Sequence, residues 1–209
     1  MQIMDGDGPF GPEDWISAGA GIVRASTFME SDPERAAEAV RIIPAGVVRA
    51  ASIHAPSHSA ATLRAMADAG ARLWIVEGIC ALTEIDRFVE ISRRADTADI
   101  PVVFSMAVAG DGHTLVGDHA SVNDFCRKSL TNAAYAVGAN CGLVPSDILR
   151  PLPEIVTAVG GTGARIFLAP CGGAGFSRAV RDAMTLIPPD LDSIIGGCCG
   201  TTPADIAGI

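Results

Sequence analysis

The stretch IIGGCCGTTP, residues 194–203, combines the end of a strand with the start of a helix. The apolar pair at its start is typical of a buried strand, and Thr202 followed by Pro203 is typical of a helix N-terminus. Between them stand two adjacent cysteines, Cys198 and Cys199, flanked by glycines. Neighbouring residues of a regular strand face opposite sides, so adjacent cysteines serve one centre only where the backbone turns. The flanking glycines permit such a turn.

A third cysteine, Cys141, lies in similar surroundings 57 residues before Cys198. An apolar run precedes it and a glycine follows it. Thiolates bind Zn²⁺ tightly, and catalytic zinc sites keep three protein ligands and one open position. The three cysteines are therefore candidates for a Cys₃ zinc site. The alternative is that they are small buried residues without a chemical role, since free cysteine is often buried.

The composition is that of a globular protein. The chain has 209 residues, of which 49% are hydrophobic and 19% charged, and these values predict a single domain over residues 1–209. The net charge of −9 argues against nucleic acid or an anionic membrane as the main partner. No apolar run approaches the ~20 residues that span a bilayer, and no secretory leader pattern opens the sequence. The six cysteines fit reduced thiols, so we expect a cytoplasmic protein.

Short apolar runs alternate with helical patterns along the whole chain. The predicted strands cover residues 2–6, 21–28, 47–54, 73–77, 101–108, 135–139, 165–170 and 193–197. The predicted helices cover residues 13–18, 33–42, 59–69, 82–95, 121–130, 145–159, 176–186 and 203–209. Eight strand–helix units predict an α/β fold, a compressed (β/α)₈ TIM barrel with short first and last helices. An open doubly wound sheet is the alternative, but no G-x-G-x-x-G motif follows the first strand.

In a barrel of this kind the active site lies at the carboxyl ends of the strands. The polar residues at those ends include Asp5 after the first strand, Glu77 after the fourth and Asn140 after the sixth. Inward residues of alternate strands share a layer. Cys141 on the sixth strand can therefore meet the cysteine pair on the eighth strand across the mouth of the barrel. The topology supports a metal site more strongly than the cysteine spacing alone.

Two segments around these cysteines, GANCG at 138–142 and GGCCGTTP at 196–203, resemble the zinc signatures of the homocysteine S-methyltransferase family. Weaker similarities extend over nearly the whole chain. They comprise MDG at residues 4–6, residues 18–28, Glu77 and residues 111–117. The second cysteine segment is the most specific of these matches.

The resemblance implies a (β/α)₈ barrel, a Zn²⁺ cofactor and a thiol substrate. It implies that the zinc ligands are Cys141, Cys198 and Cys199. It implies that the substrate site contains Asp5, Gly6, Glu77 and Asn140, with the two acids on the substrate's amino group and the asparagine supporting the cysteine loop. The expected reaction is methyl transfer from an activated donor to the sulfur of homocysteine, which gives methionine.

Several alternatives stay open at this point. Asp5 and Glu77 also fit structural acids, and Cys80 and Cys171 fit either spare ligands or small core residues. A second function is a zinc barrel subunit that acts on another thiol or only with a separate methyl-carrier protein, and the short Pro/Gly-rich loop at residues 8–12 favours it. The sequence leaves the donor open among S-methylmethionine, S-adenosylmethionine, betaine, a methylfolate and a corrinoid protein. It also leaves open a homo-oligomer.

Overall fold

The computed structural model describes the backbone of residues 2–3 and all of residues 10–209. Two predicted substrate-site residues, Asp5 and Gly6, lie outside the described residues. The end of the first predicted strand also lies outside them.

Among the described residues, eight parallel strands form one sheet in which each strand pairs with its neighbours along the sequence. The strands are β1 (Gln2–Ile3), β2 (Ile22–Ala25), β3 (Val48–Ile53), β4 (Leu73–Ile79), β5 (Val102–Met106), β6 (Ala136–Cys141), β7 (Arg165–Pro170) and β8 (Ser193–Ile195). Their sequences are nearly continuous apolar runs, as expected for parallel strands that are covered on both faces. The predicted strands are confirmed with shifted ends: β2 is shorter than residues 21–28, and β4 continues past Glu77 to Ile79.

Helices follow the strands and cover the outer face of the sheet. They are α1 (Pro12–Ser17), α2 (Pro33–Arg41), α3 (Ala60–Asp68), α4 (Leu82–Arg94), α5 (Val122–Thr131), α6 (Leu152–Val159), α7 (Phe176–Leu186) and α8 (Pro203–Ala207). A separate 3₁₀ helix, Pro145–Leu149, precedes α6, because the prolines of this segment interrupt a single helix. The predicted helix start at Thr202 is confirmed, and the side chain of Asp32 caps α2 in the same way. Within the described residues, none of the helices has the length and apolar character needed to cross a membrane.

Buried side chains show that the sheet curls. One cluster lies between the sheet and the helices, and a second lies on the inner face of the sheet. The second cluster joins Ala50 of β3 and Ile75 of β4 to Phe167 of β7 and Ile194 of β8. Strands far apart in the sheet order share a packed interior only if the sheet bends round it. The fold is therefore α/β and TIM-like.

The sequence analysis predicted a closed barrel. The structure supports the α/β, TIM-like fold but does not show the closure. Among the described residues, strand pairing runs from β1 to β8, and no pairing joins β8 back to β1. Of the two strands that would have to meet, β8 has three residues, and the first strand is described only at Gln2–Ile3. The structure thus describes a curled parallel sheet with helices outside it.

Gly138, in the middle of β6, leaves no room for a side chain. A Cβ atom at this position would lie 1.6 Å from the carbonyl oxygen of Phe167 on β7. We expect Gly138→Ala to push the two strands apart and to lower the free energy of unfolding by about 2–3 kcal/mol, the upper part of the range for overpacking. Chemical denaturation measures the change. Gly21→Ala is the control, because a Cβ there meets nothing within 4 Å; equal losses in both variants would contradict the packing argument.

Candidate metal centre

Three cysteine sulfurs meet at the carboxyl edge of the sheet. The Sγ of Cys141 lies 2.8 Å from that of Cys198 and 3.6 Å from that of Cys199, and the last two are 3.9 Å apart. A tetrahedral zinc ion with bonds of about 2.3 Å places its sulfur ligands roughly 3.8 Å apart. Two of the three distances fit this value, and the third requires a small opening. The group could hold a metal ion, and in the part of the chain that the structure describes it is the one such group.

Cys141 reaches the mouth because the backbone turns at the end of β6. Asn140 is buried on the inner face of this strand, so regular alternation would point the next side chain outward. Instead, Cys141 adopts a left-handed conformation with φ 64°, and Gly142 follows with φ 106°. A positive φ is uncommon for a residue other than glycine and is often found at functional sites. The turn brings the sulfur to the other two cysteines.

The segment that carries Cys198 and Cys199 is held against the end of β7. The backbone N–H of Cys198 donates to the carbonyl of Pro170 at 2.8 Å, and the N–H of Gly172 donates to the carbonyl of Cys199 at 2.7 Å. The two backbones approach so closely that a Cβ at Gly172 would lie 2.2 Å from the carbonyl group of Gly200. The vicinal cysteines are therefore fixed by backbone contacts on one side. The helix start at α8 follows directly on the other side.

The three sulfurs form a gradient from the interior to solvent. Cys198 is buried, Cys141 is half-buried and Cys199 is exposed. Hydrogen bonds from Cys141 and then from Cys199 lower the pKa of the Cys198 thiol. The same pairing with Cys198, together with burial, raises the pKa of the Cys141 thiol. Cys198 therefore ionises more readily than Cys141, and the exposed side of the group faces the mouth.

Asn140 connects the cysteines to two neighbouring strands. Its side-chain oxygen accepts hydrogen bonds from the hydroxyl of Ser105 at 2.7 Å and from the backbone N–H of Gly78 at 3.2 Å. These two donors identify the oxygen of the amide, so its nitrogen faces the sulfur of Cys198 at 3.7 Å. The sequence analysis placed Asn140 in this site but missed Ser105. The available signal was a polar residue within the apolar strand β5.

Glu77 is buried on the inner face of β4. Its Oε1 accepts hydrogen bonds from the guanidinium of Arg24 on β2 and from the hydroxyl of Ser52 on β3. These three residues are at most 4% exposed. Burial raises the pKa of the Glu77 carboxyl, and the charge of Arg24 opposes this rise. The substrate contact predicted for Glu77 remains a prediction, whereas Arg24 and Ser52 were missed by the sequence analysis.

The remaining cysteines lie outside the group. Cys80 and Cys171 are half-buried near the mouth, and each has its pKa raised first by burial. Cys126 is buried in α5, where burial raises its pKa to about 12. These three thiols are therefore less readily ionised than Cys198.

A cavity of about 180 Å³ opens beside the cysteine group. It is bordered by Asn140 and Cys141 on one side and by Gly110 and Arg150 on the other. The guanidinium of Arg150 donates to the carbonyl of Gly110 at 2.7 Å, which ties the loop after β5 to the 3₁₀ helix. The cavity gives a small ligand room next to the half-buried sulfur.

Comparison with protein families gives one match. The family described as homocysteine S-methyltransferase matches residues 46–209, which include the three cysteines, Asn140 and Glu77. A comparison with curated protein sequences gives no match.

Solved structures resemble the fold at low sequence identity. The metallated form of the homocysteine methyltransferase MmuM from Escherichia coli superposes with a TM-score of 0.76 and 18% identity, over 94% of this chain and 81% of that chain. Its apo form gives 0.72 and 20% over the same shares. The 3-hexulose-6-phosphate synthase from Salmonella typhimurium gives 0.62 and 16%, over 99% of this chain and 95% of that one. At these identities the likeness concerns the fold.

Proposed function

The chain is an S-methyltransferase of the homocysteine S-methyltransferase family, and on that premise we propose that it transfers a methyl group to a thiol, with homocysteine giving methionine. The observation that carries the proposal is the meeting of three sulfurs, those of Cys141, Cys198 and Cys199, at the carboxyl edge of the sheet. Zn²⁺ is the proposed cofactor, because an all-sulfur donor set suits it. When bound, it would supply the positive charge that lowers the pKa of an acceptor thiol from its usual value near 8.5.

The chain's own residues would hold this centre in one orientation. Cys198 anchors it from the interior, and Cys199 leaves its outer side open to the mouth. Asn140 donates a hydrogen bond toward the Cys198 sulfur and thereby orients that ligand. Three thiolate charges exceed the two positive charges of zinc, which favours a nucleophilic acceptor sulfur over a strongly electrophilic metal.

The reaction itself is a displacement at carbon. The acceptor thiol releases its proton to solvent, and an electron pair of its sulfur forms the new bond to the methyl carbon. The bond between that carbon and the donor breaks, and the leaving group keeps the electron pair. The cavity beside Cys141 is the proposed position of the reacting groups, because it borders the half-buried sulfur. Alignment in such a cavity lowers the entropic cost of bringing the two substrates together.

The proposal also includes a closed (β/α)₈ barrel formed by a single domain over residues 1–209. Its support is the sequential order of eight strands and the interior cluster shared by β3 and β8. Substrate contacts at Asp5, Gly6 and Glu77 stay predictions. The cytoplasmic location, a homo-oligomer and a methyl-carrier partner also stay predictions.

Methyl transfer by the zinc-loaded protein tests the proposal. Incubation with homocysteine and each of several small methyl donors is expected to yield methionine with at least one donor, measured by mass spectrometry. Chelation should abolish the product, and added Zn²⁺ should restore it. Cys126→Ala is the control, because this thiol lies outside the cysteine group. Product formation at an undiminished rate without metal would contradict the proposal, and metal-loaded protein inactive with every small donor would favour the partner-dependent alternative.

A further inference from the structure

The cavity beside the cysteine group opens toward the loops that follow β5 and β6. Its lining comes from the end of β6, from the loop after β5 and from residues 142–150. In the part of the chain that the structure describes, no residue of β2, β3 or β4 lines it. Glu77, which the resemblance places on the acceptor's amino group, lies on β4, and Asp5 follows the first strand, four positions from β5 in the sheet order. The cavity therefore offers room for the second substrate, the methyl donor.

Arg150 is held at the wall of this cavity. Its Nη1 donates to the carbonyl of Gly110 at 2.7 Å, and both residues line the cavity. The aliphatic part of the side chain packs on Gly112, where a Cβ would lie 2.5 Å from the Cβ of Arg150. Both contacts come from the loop after β5. They fix the guanidinium in place although about half of the side chain is exposed, at 54%.

Asp147 forms an ion pair with Arg150. The Nη2 of Arg150 lies 3.6 Å from the Oδ1 of Asp147, which is longer than a hydrogen bond. The other oxygen of Asp147, Oδ2, accepts hydrogen bonds from the backbone N–H groups of Leu143 at 2.9 Å and Val144 at 3.0 Å. A ligand that takes over the contact with Arg150 therefore leaves Asp147 with both of its backbone donors.

Two further acids lie on the elements around the cavity. Asp111, in the loop after β5, accepts hydrogen bonds from the backbone N–H groups of His113 at 2.9 Å and Thr114 at 3.1 Å. Glu154, on α6, pairs with the imidazole of His113 at 2.7 Å. Both carboxylates have donors of their own, and their charges weaken the attraction of Arg150 for another anion. The expected gain from binding that anion is therefore modest, about tenfold in affinity.

A carboxylate is the ligand group that suits Arg150. A guanidinium binds a carboxylate through two parallel N–H···O bonds, and within the described residues only the Nη1 of Arg150 is in a hydrogen bond. A ligand whose carboxylate faces Arg150 has its other end beside Cys141, which borders the opposite side of the cavity. The volume of about 180 Å³ is below the roughly 300 Å³ at which pockets for drug-sized ligands begin, so it suits a small molecule.

We infer that this cavity is the donor subsite and that Arg150 binds a carboxylate of a small methyl donor. The inference rests on the proposed methyl transfer to a thiol and adds the residue that orients the second substrate. With its carboxylate on Arg150, the donor directs its methyl-bearing end toward Cys141 and the acceptor sulfur. Arg150 makes and breaks no covalent bond in this step.

Two donors that differ by one group test the inference. Dimethylsulfonioacetate and its amide have the same methylated sulfonium, and only the first has a carboxylate. Each is titrated by calorimetry into zinc-loaded protein without an acceptor, so that binding is measured without turnover. Wild type is expected to bind the carboxylate about tenfold more tightly than the amide, and Arg150→Gln should bring the two dissociation constants within about threefold. Arg127→Gln is the matched control and should keep the wild-type ratio, because Arg127 is also exposed and also pairs with an acid three residues before it.

A second pair of ligands shows whether the carboxylate belongs to the donor or to the acceptor. Homocysteine and 3-mercaptopropylamine, which lacks the carboxylate, should bind with the same ratio in wild type and in Arg150→Gln. A ratio that falls in Arg150→Gln for this pair alone would assign Arg150 to the acceptor and overturn the inference. Wild type that binds the two sulfonium compounds equally or binds neither, or a preference that Arg150→Gln keeps, would also overturn it. The proposed function is judged separately, by the formation of methionine with any donor.

Discussion

Replacing Cys198 by alanine is expected to abolish metal binding and methyl transfer together. Cys198 is the most buried of the three sulfurs, and it contacts both of the others, at 2.8 Å and 3.9 Å. Its loss leaves two ligands, which is fewer than a catalytic zinc site uses. We expect a loss of metal affinity larger than the roughly 10–100-fold caused by removing a group that only supports a ligand. Wild type should contain about one zinc per chain, measured by elemental analysis of protein kept reduced.

The matched control for this experiment is Cys126→Ala. Cys126 is also a buried cysteine, but it packs within α5 and lies outside the cysteine group. This variant should lose some stability and keep the full metal content. Retention of metal by Cys198→Ala would show that the three sulfurs are not the ligand set. Loss of metal in both variants would point to a general effect of destabilisation.

Replacing Arg24 by methionine is expected to destabilise the fold in a pH-dependent way. The substitution leaves Glu77 buried without its counter-charge, which costs about 3–5 kcal/mol when one partner of a buried ion pair is removed. In wild type, burial already raises the pKa of the Glu77 carboxyl, the nearby charge of Cys198 adds to the rise, and Arg24 and the hydrogen bond from Ser52 oppose it. Without Arg24 the pKa should rise further.

The sign of the pH dependence follows from proton binding. A carboxyl whose pKa is higher in the folded than in the unfolded protein binds more protons in the folded state. The stability of Arg24→Met should therefore fall as pH rises from the unfolded value near 4.3 through the raised folded value. Chemical denaturation at several pH values should show a gap to wild type that is largest near neutral pH and narrows toward acid. The double variant Arg24→Met/Glu77→Gln is the control and should show no such widening; parallel curves for the single variant and wild type would contradict the argument.

Much of the fold was predictable because strand and helix patterns are local. The runs LWIV at 73–76 and IFLAP at 166–170 are apolar over a strand length, and both lie in strands of the structure. The N-cap at Asp32 was predictable for the same reason, since its carboxylate bonds to the next residues of the chain. Local sequence patterns did not show whether the sheet closes into a barrel. Closure depends on whether β8 pairs with the first strand, whose end lies outside the described residues.

The candidate site also has features that the sequence predicts and features that it does not. Thiolates are zinc ligands because of their own chemistry, so Cys198 and Cys199 could be singled out from residue type and flanking glycines. The alternation of eight units then placed Cys141 beside them. The left-handed backbone at Cys141 could not be read from the sequence, because no glycine or asparagine occupies that position to signal it.

The sequence by itself determined the order of strands and helices and the residue types able to hold a metal. Only the tertiary structure decided which charged and polar side chains meet beneath the cysteine group. Arg24 and Glu77 are 53 residues apart, and Ser105 and Asn140 are 35 residues apart. Parallel strands separated by helices bring such residues into one layer, where burial makes each pairing energetically important. The charge around Glu77 is therefore a property of the curled sheet, since it depends on the side chain that a nearby strand places opposite.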